Sequence, residues 1–136
     1  MKWCENYIGK PYKAGASGPL FYDCWGLVRA VYLDVFGINL PVITLKNHTL
    51  KNQLAAFKNH AEYDNWQEIN TPTHGCAVVM HRGKYPCHIG LCVQDGARVY
   101  VLHAIENAGV VCQPLNQLEH SGFGVSGFYY HTLRVP

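Results

Sequence analysis

Tyr22-Asp23-Cys24-Trp25-Gly26-Leu27-Val28-Arg29-Ala30-Val31-Tyr32-Leu33-Asp34-Val35-Phe36-Gly37 is the stretch that decides the fold. From Cys24 onward, Leu27, Val28, Val31, Tyr32, Val35 and Phe36 recur at spacings of three and four, which is one apolar stripe of a helix. Asp23 suits the N-cap and Gly37 the C′ position, with Pro41 shortly beyond. Upstream, Gly9, Pro11, Gly15, Gly18 and Pro19 break any regular element and predict a loop that delivers the chain to Cys24.

Downstream the pattern changes. A weaker helix is expected from about Thr49 to Asn59, with Leu50, Leu54 and Phe57 on one side. After Pro72 come short β-rich runs: Cys76 to His81, His88 to Gln94, Arg98 to Ile105, Val110 to Gln113 and Gly127 to Arg134. Arg82-Gly83-Lys84, Asp95-Gly96 and Asn107-Ala108-Gly109 supply turn chemistry between them. Helices first and an antiparallel meander after them make an α+β domain in which the helix lays its stripe on the sheet.

Composition narrows the class. The 136 residues suit one domain spanning 1–136, and 49% hydrophobic with 15% charged residues describes a chain with a core. A net charge of +2 gives no electrostatic footprint for nucleic acid. The amino terminus carries no charged region followed by an apolar one, and no run reaches the roughly 20 apolar residues of a membrane span. A chain made in the cytoplasm in this way needs separate delivery if it acts outside. Six cysteines (Cys4, Cys24, Cys76, Cys87, Cys92, Cys112) form no regular disulfide framework, and most sit among apolar neighbours.

Cys24 differs from the others in its surroundings. At the first turn of a helix the unpaired N–H groups and the macrodipole favour a thiolate, so its pKa is expected to be lowered. A nucleophilic thiol needs a base, and His88 and His103 are the best placed of eight histidines. They lie on successive strands joined by a hairpin at Asp95-Gly96, so both imidazoles can meet at one end of the sheet. The competing reading of each residue alone is structural: a buried small thiol, or a hydrogen-bonded histidine. A metal site is a rival reading, since His74, Cys76, His81, Cys87, His88 and Cys92 lie within nineteen residues. Their spacings match no zinc pattern, so neither metal nor cofactor is expected.

Lys10-Pro11-Tyr12, Tyr22-Asp23-Cys24-Trp25-Gly26-Leu27-Val28, His88-Ile89-Gly90-Leu91 and Val101-Leu102-His103-Ala104, taken in order, resemble the NlpC-type cell-wall cysteine peptidases. The segment from Asp23 to Tyr32, with Phe36-Gly37-Ile38 and Leu40-Pro41 after it, is most similar to their phage tail-associated branch. The resemblance implies a minimal papain-like fold, with the nucleophile helix packed on an antiparallel sheet of about five strands. It implies an endopeptidase that cuts peptidoglycan stem peptides, commonly between D-glutamate, through its γ-carboxyl, and a diamino acid such as meso-diaminopimelate. On that basis Cys24 is the nucleophile, His88 the general base and His103 the orienting residue. Tyr12 matches a family tyrosine whose hydroxyl reaches the site, and Asp23 and Trp25 flank the thiol as further candidates for substrate or oxyanion contacts. The implied partners are the stem peptide and phage tail proteins, with action in the periplasm or wall after delivery by a tail or as an injected toxin. Three departures bear on substrate preference. Gly75-Cys76-Ala77 stands where many relatives have Gly-Asp-Leu, Trp25 stands where serine is usual, and the loop between His88 and His103 is longer than in the most compact relatives. A thiol acyltransferase or amidase on the same fold, and a catalytically idle assembly module, remain the alternative readings.

Overall fold

The helix expected after Asp23 is present as α1, Cys24–Val31, in a computed structural model that describes residues 2–42, 64–83 and 85–133. The helix expected at 49–59 lies outside those residues. Asp23 is extended, and its Oδ1 accepts the N–H of Gly26 at 2.6 Å, satisfying one of the donors a helix start leaves unpaired. Leu27, Val28 and Val31 are fully buried. Beyond Val31 the winding changes to a π-helical turn, Tyr32–Phe36, closed by Gly37 in the left-handed conformation at φ 70°. Wider winding breaks the expected stripe. Tyr32 stays buried and its hydroxyl donates to the Gly75 carbonyl, while Val35 turns out to solvent.

Six strands form one antiparallel sheet, against the five expected: β1 Trp66–Ile69, β2 Ala77–Arg82, β3 Tyr85–Asp95, β4 Arg98–Ile105, β5 Gly109–Pro114 and β6 Gly124–His131. Their order is β1-β6-β2-β3-β4-β5. The meander from β2 to β5 follows the sequence reading, with turns closed by the pairs Asp95–Arg98 and Ile105–Gly109. The last strand departs from it. A 3₁₀ helix, Leu115–Ser121, carries the chain back so that β6 inserts between β1 and β2, and β6 starts and ends three residues before the expected 127–134 run.

The sheet is covered on both faces. Ala77, Val79, Leu91, Val93, Leu102 and Ala104 pack with Leu27, Val28 and Val31 of α1. Val78, Met80, Cys92, Val101 and Ile105 pack with Leu118 and Phe123. Burial on both faces is why β2, β3 and β4 read as nearly continuous apolar runs rather than clean alternation. Register shifts at Val79–Met80 against β6 and at Met80–His81 against β3 bend β2 beside His88, the partner of Met80.

Candidate functional site

Cys24 opens α1 and is 9% exposed. The backbone N–H groups of Ile89, Trp25 and Cys24 itself bond to its sulfur and favour the thiolate. Burial outweighs them, with the Asp23 carboxylate adding to it, and the thiol is pushed up to about 12. This corrects the expectation of a lowered pKa: the helix start does act on the sulfur, but desolvation of the anion is the larger effect. The Ile89 contact sets the thiol against the β3 residue that follows His88.

Ahead of the helix, Tyr12 and Tyr22 pair as a short parallel bridge, so the loop carrying Tyr12 is tied to the segment that enters α1. Tyr12 is half-buried. Its phenol is raised by burial first, then by Cys24 and Asp23, so it lies within the field of the thiol. Asp23 clamps the loop as well as the helix, because its Oδ2 accepts the Gly15 N–H at 2.7 Å. Its N–H donates to the Ala16 carbonyl at 2.9 Å. A Cβ on Gly26 would collide with that same carbonyl, which is why glycine stands two residues after the thiol. Trp25 donates its indole N–H to the Pro41 carbonyl at 3.0 Å and meets Trp66 edge-on. Asp23 and Trp25 thus contact the protein's own backbone and core.

His88 on β3 and His103 on β4 are brought together, with Nε2 of His88 2.9 Å from Nδ1 of His103. Gly90 makes the approach possible, since a Cβ there would sit 2.8 Å from the His103 Cβ. His103 is wholly buried. Its Nε2 lies 2.7 Å from Gln113 Oε1 on β5, and Gln113 Nε2 donates to Ser121 Oγ at 2.7 Å. Phe123 stacks on the His88 ring, with centroids 4.6 Å apart and planes 17° from parallel. The Arg82 guanidinium lies 4.2 Å from the Phe123 centroid and donates to the Ser121 carbonyl at 2.8 Å. Burial, then His103, then Arg82 push His88 down to about 3. His103 is also lowered by burial, against an opposing pull from Gln113. Burial thus works against the charged form of both thiol and imidazole.

Gln113, Ser121, Phe123 and Arg82 escaped the sequence reading. Gln113 alone carried a signal. It pairs with Val101, two residues from His103, so strand alternation sets it on the His103 face. Among the described residues no three or more His, Cys, Asp or Glu side chains gather as metal ligands do. His74 instead accepts the Gln94 N–H at 2.9 Å.

The sequence profile of the NlpC/P60 family matches residues 9–129. Among solved structures, the chain is similar to the NlpC/P60 domain of the peptidoglycan hydrolase SagA, at 20% identity and a TM-score of 0.57, over 93% of this chain and 90% of that one. It is also similar to a lipoprotein-like NLP/P60 family protein of Staphylococcus aureus, at 25% identity and a TM-score of 0.59, over 96% of this chain and 39% of that one. No curated protein sequence matches.

Proposed function

This chain belongs to the NlpC/P60 family, and we propose that it is a cysteine peptidase of the peptidoglycan-hydrolase class that cuts the stem peptide between D-glutamate, through its γ-carboxyl, and a diamino acid such as meso-diaminopimelate. The observation that carries this reading is the 2.9 Å His88–His103 bond on the strand whose next residue, Ile89, contacts the Cys24 sulfur.

In the proposed reaction His88 takes the thiol proton as the sulfur of Cys24 attacks the γ-carbonyl carbon. The carbonyl oxygen becomes an oxyanion at the start of α1, where the Cys24 N–H that bonds the sulfur at rest meets it as charge passes from sulfur to oxygen. The C–N bond breaks as His88 returns its proton to the leaving amine, leaving a thioester. Water then attacks the thioester with His88 again as base, releasing the glutamate carboxyl and restoring the thiol. His103 holds the His88 ring throughout, in the role of the third member of a triad. Tyr12, within the field of the sulfur, contributes its hydroxyl to the acyl group. Asp23 and Trp25 contribute by fixing the loop and the segment after the helix around the thiol.

We further propose that a phage tail delivers the chain to the wall, with tail proteins as its partners. The segment from Asp23 to Tyr32, with Phe36-Gly37-Ile38 and Leu40-Pro41, supports this reading. Mass spectrometry of purified tail particles tests it: the chain is expected among their proteins, and its absence would sink the delivery proposal. For the bond itself, the test is a synthetic L-alanyl-γ-D-glutamyl-meso-diaminopimelate peptide. Release of L-alanyl-D-glutamate with free diaminopimelate is the expected product. Turnover that requires an added amine would point instead to an acyltransferase, and cleavage elsewhere in the stem would overturn the assigned bond.

A further inference from the structure

Gln113 and Ser121 take no part in the chemistry above, yet they end the line of hydrogen bonds that begins at His88. An imidazole nitrogen either donates or accepts, and the partner of one nitrogen decides the state of the other. The Gln113 atom facing His103 Nε2 is the amide oxygen, which only accepts, at 2.7 Å. His103 Nε2 therefore carries the proton, and His103 Nδ1 keeps a lone pair. That lone pair, 2.9 Å from His88 Nε2, accepts a proton held there. His88 is left with Nδ1 unprotonated, which is the state a base requires. In this orientation the amide nitrogen donates to Ser121 Oγ at 2.7 Å. Ser121 is itself held by Arg82 through its carbonyl.

We infer that Gln113, oriented by Ser121, is a positioning residue that sets the tautomer of His103 and, through it, that of His88. The inference rests on the reading of His88 as the base. A neutral acceptor matters here. A carboxylate at position 113 would favour a doubly protonated His103, which has no lone pair to offer His88.

The test is long-range ¹⁵N–¹H correlation NMR of the imidazole nitrogens in the ¹⁵N-labelled protein at pH 7, with peptide kinetics alongside. The unsubstituted protein is expected to show protonated Nε2 on both rings. Gln113→Leu is expected to give mixed tautomers at both, and to lower kcat by about 10- to 100-fold, the usual cost of losing an outer-shell partner, with KM little changed. Gln113→Glu, close in shape, is expected to move the acid limb of the kcat/KM profile to higher pH. Ser121→Ala is expected to show a smaller loss in the same direction, with Ser121→Thr restoring activity. Unaltered tautomers in Gln113→Leu, or an unmoved acid limb in Gln113→Glu, would overturn the inference. The two readings fail separately. Tautomers that follow Gln113 in a protein that hydrolyses no stem peptide would overturn the proposed function alone.

Discussion

The thiol and imidazole halves of the candidate site are built from different materials. Around Cys24 the work is done mostly by backbone: N–H groups at the sulfur, the N–H groups of Gly15 and Gly26 that the one side chain involved, the Asp23 carboxylate, gathers, and the Ala16 carbonyl against a residue with no Cβ. Around His88 it is done by side chains: His103, Gln113 and Ser121 in series, with Phe123 stacked on the ring and Arg82 over Phe123. Backbone constraints tolerate change in neighbouring side chains, whereas a series of side chains fails when any member is lost. Both halves nevertheless reach the same electrostatic end, because burial disfavours the charged form of each group. The thiol is raised and the imidazoles are lowered, so burial works against a charge on either reacting group.

The difference makes substitutions diagnostic. The largest effect is expected at the base: His88→Ala should reduce kcat/KM by about 10²–10⁴, the usual range for acid–base help. His103→Ala should cost less, since the base survives without its orienter, and equal losses at both positions would contradict the division of roles. Phe123→Ala comes next. Phe123 is 6% exposed, and truncation of a buried phenylalanine costs about 3–5 kcal/mol. Thermal unfolding should show that loss together with a His88 ring open to solvent, and an unchanged Tm would remove Phe123 from the account.

Smallest per pH unit is a two-sided dependence of stability. Below about pH 6.5 unfolded histidines bind protons that half-buried His88 and buried His103 refuse, so stability falls as pH drops toward 3. Above about pH 9 the unfolded Cys24 thiol loses a proton that the folded one keeps up to about 12, so stability falls again as pH rises. The limiting slope for one group is about 1.4 kcal/mol per pH unit. Denaturation of Cys24→Ala should lessen the alkaline fall, to which the raised thiols of Cys4, Cys92 and Cys112 also contribute, and leave the acid one. An alkaline limb identical to that of the unsubstituted protein would mean that the Cys24 thiol is not among the groups responsible.

The sequence made the backbone half more legible than the side-chain half. Asp23, the Leu27–Val31 spacing and Gly37 locate the start of α1, its buried face and the end of the π-helical turn that follows it, because caps and periodicity are local chemistry. The Asp95–Arg98 hairpin sets β3 beside β4 for the same reason. What escaped depends on distant parts of the chain. β1 is four residues long and exists because β6, far along the sequence, pairs with it. The thiol's pKa was misjudged because its burial and one of its N–H contacts come from the remote Ile89 strand. The π-helical turn follows no spacing rule, and it moved Val35 out of the stripe. Phe123 follows a 3₁₀ helix whose return path no local pattern announced.

The central claim is that Cys24 attacks the peptide of the bacterial wall. Mass spectrometry of muropeptides from purified peptidoglycan, digested with the unsubstituted protein and with Cys24→Ala, tests it most directly. The account predicts new stem fragments ending at D-glutamate with the former and none with the latter. Equal cleavage by both proteins, or intact stems with walls from several bacteria, would contradict it.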